Sequence, residues 1–447
     1  MLLGFALDKK VQRLFKTIKA KGEEMKRLGL FLGLSSLVFG AETSNVDILF
    51  VIASSALVLL MTPALGMFYG GMVNRKNVLN TTLSGIILYS LIALQWVVLG
   101  YTLAFGDDIA LLIGDLNHIF LTNLQDSNIG TIPENLFMFF QMMFAVIGAA
   151  IITGSFAERM RFGVLLIFIF CWSTFVYDVL AHWVWGGGWL MKIGSLDFAG
   201  GGVVHIAAGV AGLVGCIMLG KRNYTKGLLP HSLPLSFIGA ILLWMGWLGF
   251  NTGSALSVNS VAINAFLTTN LSVVGAMLSW LIIEWTKYGK PTLLGSITGI
   301  VAGLVAITPA AGFVPPFAAI AIGFFASPIC FFAISTLKSK FHYDDTLDAF
   351  GLHGIGGIWG GIATGLFATS QVNGIVAKEA AGEGLFFSGD FTLLGIQIVS
   401  IIACFALSGL VSFAVLKIIS YFTPLRVEES EEINGLDQTL HGEIAYR

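Results

Sequence analysis

The sequence predicts an all-α polytopic membrane protein with eleven transmembrane helices, arranged as an inverted repeat of five plus five with one helix added. Three observations carry this. Only 11% of the 447 residues are charged and the mean hydropathy is +0.86, whereas a water-soluble domain carries about 25% charged residues. Apolar runs long enough for a helix to cross the hydrocarbon core, about 20 residues, recur from Val46 to Phe422. The basic residues in the connecting segments also alternate, crowded in one segment and sparse in the next.

The spans fall at residues 47–73, 78–104, 134–156, 162–182, 199–219, 232–250, 258–284, 292–308, 314–337, 347–369 and 391–421. Taking alternate connections together, one set holds Arg75, Lys76, Arg159, Arg161, Lys221, Arg222, Lys226, Lys287, Lys290, Lys338 and Lys340, and the other only Lys192 and Lys378. Cytoplasmic connections are enriched in Lys and Arg, so the first set is expected inside. An odd number of spans then puts the mature N-terminus outside and the tail, residues 425–447, in the cytoplasm. The scattered basic residues and a net charge of −2 offer no patch for nucleic acid.

The first 41 residues read as a separate unit. Met25-Lys26-Arg27, the apolar stretch from Leu28 to Phe39 and the small pair Gly40-Ala41 follow the order of a signal peptide at 25–41, with cleavage near Ala41. Residues 1–24, with six Lys and Arg, then stand upstream of the true start at Met25. The other reading makes them a cytoplasmic amphipathic segment. The transmembrane domain is expected over 42–424.

Repeat symmetry shows as an echo. Leu196-Asp197-Phe198-Ala199-Gly200 opens the fifth span and Leu347-Asp348-Ala349-Phe350-Gly351 the tenth, and a histidine follows each, His205 and His353. An ionisable side chain inside an apolar span is costly and faces a polar interior when present. Two at matching places point to one shared lumen, where burial disfavours the imidazolium and a neutral ring both donates and accepts. Two histidines without a third ligand make a poor zinc site, so no metal is expected. Cys171, Cys216, Cys330 and Cys404 lie in apolar runs without ligand spacing and read as small buried residues. Glycine runs such as 209–212 and 356–361 let helices approach closely.

Asp197 either binds a cation directly or accepts backbone N–H bonds at a helix start; the glycines after it favour the structural role, and Asp348 is read likewise. Trp185 stands before three glycines at the outer mouth, Phe144 lies in the third span, and Phe250 and Ser254 lie near the outer end of the sixth, with Trp247 just before. Most interfacial tryptophans belong to the aromatic belt. If these residues converge, their ring faces and hydroxyl make a cation site.

The chain resembles the ammonium transporter family. The resemblance rests on Phe68-Tyr69-Gly70-Gly71, Ala157-Glu158-Arg159-Met160-Arg161-Phe162, His182-Trp183-Val184-Trp185-Gly186-Gly187-Gly188, Asp197-Phe198-Ala199-Gly200-Gly201, Val204-His205, Gly246-Trp247-Leu248-Gly249-Phe250-Asn251, Lys290-Pro291-Thr292 and Phe350-Gly351-Leu352-His353-Gly354. It implies a homotrimer in a bacterial inner membrane, with one pore per subunit and no cofactor. Ammonium, and methylammonium as its analogue, would be recruited at Phe144, Trp185 and Ser254. Phe144 and Phe250 would stack as a gate, His205 and His353 with Trp247 would line the pore, and Asp197 would support the recruitment site. A PII-type signal protein would meet the tail. A sensor on the same fold is the alternative; an enzyme is not expected, because no nucleophile–base set falls within the spans. One departure is Val179, where many relatives carry proline.

Overall fold

Lipid offers a backbone no hydrogen-bond partner, so a chain this apolar satisfies its N–H and C=O groups within helices. The computed structural model describes residues 43–124, 127–223 and 229–446. The expectations for residues 1–24 and the signal at 25–41, like Lys226, lie outside the described residues.

Among the described residues nine helices are long and apolar enough to cross a membrane: α1 Asn45–Met72, α2 Val78–Phe105, α3 Glu134–Phe156, α4 Phe162–Lys192, α5 Gly201–Leu219, α6 Leu233–Gly253, α7 Ser260–Tyr288, α9 Pro316–Phe341 and α11 Thr392–Phe422. The eighth and tenth expected spans correspond to shorter helices, α8 Leu293–Ile307 and α10 Ile355–Phe367, the latter entered through a π-helical turn at Phe350–Gly354. Helix starts follow local chemistry. Ser44, Ser232, Asn259 and Thr292 each accept a backbone N–H in the first turn of α1, α6, α7 and α8.

The molecule is apolar on both sides of its helices. Leu410, Phe413 and Phe422 of α11 and Ile263 and Trp285 of α7 are exposed, as a lipid-facing surface requires. Polar side chains, His205, His353, Asn251 and Thr308 among them, are turned inward. Two short hairpins decorate one face: β1 Asp108–Ile109 with β2 Ile113–Gly114, and β3 Asn128–Ile129 with β4 Ile132–Pro133.

The opposite face carries the tail, which is docked. Helices α12 Glu429–Asn434 and α13 Leu436–His441 are tied down by Asn80 N donating to Asp437 Oδ1 at 2.8 Å, Leu436 N to Asn77 Oδ1 at 2.8 Å and Asn223 N to Glu432 Oε1 at 2.7 Å. Buried Arg159 donates to the Gly220 carbonyl and to Thr346 Oγ1. Arg222 bridges Glu158 and Asp344 at 2.8 Å each. Burial alone would push the Asp344 carboxyl up, but the Arg222 guanidinium outweighs it and holds the group at about 2.

Candidate functional site

The centre of the fold is where α5 meets the start of α10. Each begins with a π-helical turn, Gly201–Ile206 and Phe350–Gly354, and each turn carries a histidine; π turns recur at functional sites because they re-aim a side chain. Glycines make the meeting possible. Gly357, four residues after His353, has no Cβ; one there would lie 2.8 Å from the Gly201 carbonyl oxygen and 3.3 Å from His205 Cβ. Gly209, four after His205, lies in turn against the backbone of Gly354. The reciprocal contact brings His205 Nδ1 to 3.3 Å from His353 Nδ1, with both residues buried. Gly357→Ala is therefore expected to lower transport a few-fold, since overpacking of this size costs about 1–3 kcal/mol and falls on the histidine spacing. Equal uptake rates at equal membrane levels would show that the close approach does not set that spacing.

A carboxylate starts each turn. Asp197 accepts from Gly200 N at 2.8 Å, Gly201 N at 2.7 Å and Gly202 N at 2.7 Å. Its counterpart is Asp345, which accepts from Phe350 N at 2.8 Å and Ala349 N at 3.2 Å. The expectation for Asp348 is thus corrected. Its side chain pairs with Lys338 Nζ at 2.7 Å, and its backbone is left-handed, φ 58°. The reason is spacing: Asp197 precedes His205 by eight residues and Asp345 precedes His353 by eight, whereas Asp348 is too close to reach the N–H groups of the turn.

On the hairpin side of the histidines the aromatic residues converge. Phe144 of α3 and Phe250 of α6 stack with centroids 4.1 Å apart, 21° from parallel. Trp185 meets Phe144 edge-on at 6.2 Å, and its Nε1 donates to the Asp197 carbonyl at 2.8 Å. The Ser254 hydroxyl donates to the Phe250 carbonyl at 2.9 Å, which leaves its lone pairs free to accept. Below the stack, Trp247 lies parallel to His205 at 5.2 Å and is fixed by Nε1 donating to Thr308 Oγ1 at 2.8 Å. Thr308 was not singled out in the sequence, and nothing local to it signals the contact.

On the tail side of His353 lies an enclosed cavity of about 10 Å³, lined by Leu65, Phe68, Ile147, Trp247, Val301 and His353. That is room for about one water-sized molecule. Phe68 also lines a vestibule of about 400 Å³, whose wall includes Glu158, Arg222, Glu284 and Asp348. The order is thus mouth, stacked rings, paired imidazoles, narrow apolar cavity, polar vestibule.

The histidine pair has definite chemistry. A hydrogen bond between two Nδ1 atoms needs one to donate and the other to accept, so at most one of the rings is an imidazolium. In the neutral pair one Nε2 is an acceptor and the other bears a proton. His205 Nε2 is buried without a partner among the described residues. Among the described residues no three His, Cys, Asp or Glu side chains come together to hold a metal.

A helical membrane protein whose buried histidines meet behind stacked aromatic rings has the form of a transport protein. The Ammonium Transporter Family description matches residues 49–446. The ammonium transporter of Bacillus subtilis is 52% identical over 404 residues, covering 90% of this chain and 98% of that protein. Crystal structures agree: Candida albicans Mep2 is similar with a TM-score of 0.81 at 35% identity over 87% of this chain and 88% of its own. A sensor Amt protein reaches 0.82 at 30% identity, over 89% of this chain and 98% of that one. The chain belongs to the ammonium transporter family.

Proposed function

We propose that this protein carries ammonium across a bacterial inner membrane by capturing the cation outside, removing its proton and passing ammonia through the lumen. The observation that carries the reading is the imidazole pair behind a stacked aromatic barrier, in an otherwise apolar passage. Bare ammonium in a low-dielectric passage costs many kcal/mol; ammonia carries no charge. At the mouth, the faces of Trp185 and Phe144 attract the cation by about 0.5–2 kcal/mol each, and Ser254 accepts one N–H. The cation gives up its proton to water at the mouth, Phe144 and Phe250 part to admit the ammonia, and Asp197 supports the mouth from behind.

Beyond the gate, ammonia donates to one Nε2 and accepts from the other while the rings stay neutral. Potassium has no proton to lose and finds no comparable site. The proton left at the mouth either returns outside or crosses by its own route, and currents from proteoliposomes on a solid support distinguish the two. Three copies would form the working assembly, with the mature N-terminus outside, the tail in the cytoplasm and a PII-type protein binding beside α12 and α13.

The test is uptake of labelled methylammonium by cells stripped of their own ammonium uptake, with potassium as competitor. The protein is expected to restore uptake that excess potassium does not inhibit. Ser254→Ala should raise KM about tenfold with little change in Vmax, because a hydrogen bond to a charged group is worth about 1.5–3 kcal/mol. Uptake no greater than in empty cells would end the proposal, and an unchanged KM would remove Ser254 from it.

A further inference from the structure

The mouth is anchored by a third histidine. His182, fully buried near the end of α4, points Nδ1 at the Ala104 carbonyl, 3.1 Å away, and Nε2 at Asp108 Oδ1, 2.8 Å away. Both partners are acceptors, so both ring nitrogens have to donate, which only the imidazolium does. Asp108 opens the β1–β2 hairpin, and two more bonds fasten that hairpin to α4: Trp183 Nε1 donates to the Leu112 carbonyl at 2.8 Å and Trp189 N to the Leu111 carbonyl at 3.0 Å.

The hairpin needs holding. Ala110 and Leu111, neither of them glycine, stand in the left-handed region at φ 59° and 64°, a conformation that persists only when surrounding contacts fix it. The His182 carbonyl also accepts from Gly186 N at 3.0 Å and Gly188 N at 2.9 Å, closing the helical turn that presents Trp185. His182 thus ties the end of α2, the hairpin and the turn bearing Trp185 to one another.

We propose that the His182–Asp108 pair is a charge-dependent clamp that positions Trp185 for capture of ammonium, so that affinity falls as the outside medium turns alkaline. The proposal rests on the reading of Trp185 as part of the capture site. A neutral ring keeps one N–H, and either Ala104 or Asp108 then loses its donor. Asp108 is the charged group in contact with the ring, and Lys192, in the last turn of α4, acts on Asp108. Its hydrogen bond from His182 holds the Asp108 carboxyl below the usual carboxylate range. Of the other ionisable groups on the packed elements, Tyr101 donates to Glu134, Asp115 accepts from Asn117 N and His205 pairs with His353. Asp178, one turn before His182 on α4, accepts from Gln95 Nε2 at 2.6 Å, while the buried Tyr177 hydroxyl beside it has no partner among the described residues. Asp107 shares the loop with Asp108 and adds to the negative charge there.

The experiment measures KM and Vmax for methylammonium in whole cells between about pH 5 and 8, which brackets the ordinary imidazole range while the substrate stays charged. For the wild type KM is expected to rise with pH while Vmax holds. Asp108→Asn keeps the shape but removes the charge that favours the imidazolium, so the rise in KM should begin at a lower pH than the wild-type onset. Asp108→Glu should restore it, and His182→Asn should leave KM high and level. Identical profiles in the wild type, D108N and H182N overturn the clamp. If Trp185→Leu meanwhile raises KM, the capture site stands without it; if Trp185→Leu leaves KM unchanged, the capture reading fails and takes the clamp with it.

Discussion

Replacing His205 and His353 together by leucine is expected to lower methylammonium uptake about a hundredfold while the protein still reaches the membrane in normal amounts. The two halves of this result have separate causes. The imidazoles meet each other through Nδ1, and among the described residues His205 Nε2 has no other partner. Removing both members of a buried hydrogen bond and filling the space with apolar atoms is close to neutral for folding. Trp247 and Phe250, which pack on His205 at 5.2 and 6.1 Å, pack on leucine as well. For ammonia the change is severe: a polar molecule crossing an apolar passage loses both partners, at about 1–3 kcal/mol for each unmade bond, and each 1.4 kcal/mol is tenfold.

A companion pair separates hydrogen bonding from mere polarity. With His205→Glu and His353→Asp the lumen holds carboxylates, which favour a cation, and potassium should then compete with methylammonium. Uptake and potassium exclusion that survive both replacements would show that the rings do not determine passage.

Much of this was legible in the sequence for a physical reason: lipid penalises buried ionisable groups so heavily that His205 and His353 stand out against their apolar spans. Sequence could not show that their nitrogens touch, because that depends on Gly209 and Gly357 each lying against the other helix. The misassignment of Asp348 is instructive. The stretch 344–348 offers three carboxylates within five residues, and the resemblance of Leu347-Asp348 to Leu196-Asp197 drew attention to the wrong one. Counting back from the histidine selects Asp345, since the reach of a capping carboxylate is fixed by the turn and not by its neighbours' identity. Thr308 and the His182–Asp108 pair were hidden because each joins segments far apart in the chain, with no periodic pattern to mark them. The eighth and tenth spans were visible as apolar runs, although α8 and α10 are shorter than the nine long helices.

Asp197→Ala is expected to abolish uptake and to lower the melting temperature of the detergent-solubilised protein, and its character will show which of two roles the carboxylate has. The side chain receives three N–H groups at 2.7–2.8 Å and a fourth, from Val203, at 3.4 Å. All belong to the turn that aims His205, and the Asp197 carbonyl meanwhile holds the Trp185 indole. Truncation to alanine orphans the three close donors in a partly buried place, at about 1–3 kcal/mol each, so the turn has to reorganise and both the mouth and the imidazole pair move with it. Asparagine is no remedy: its Oδ1 can still accept from Gly200 and Gly201, but its amide would aim N–H at the donors of Gly202 and Val203. Asp197→Asn should therefore fall between wild type and alanine in melting temperature, with uptake nearer to alanine. If Asp197 instead met the cation directly, both variants would fold with wild-type stability and lose only affinity, a rise in KM at constant melting temperature. That outcome would move Asp197 from the support of the site into the site itself.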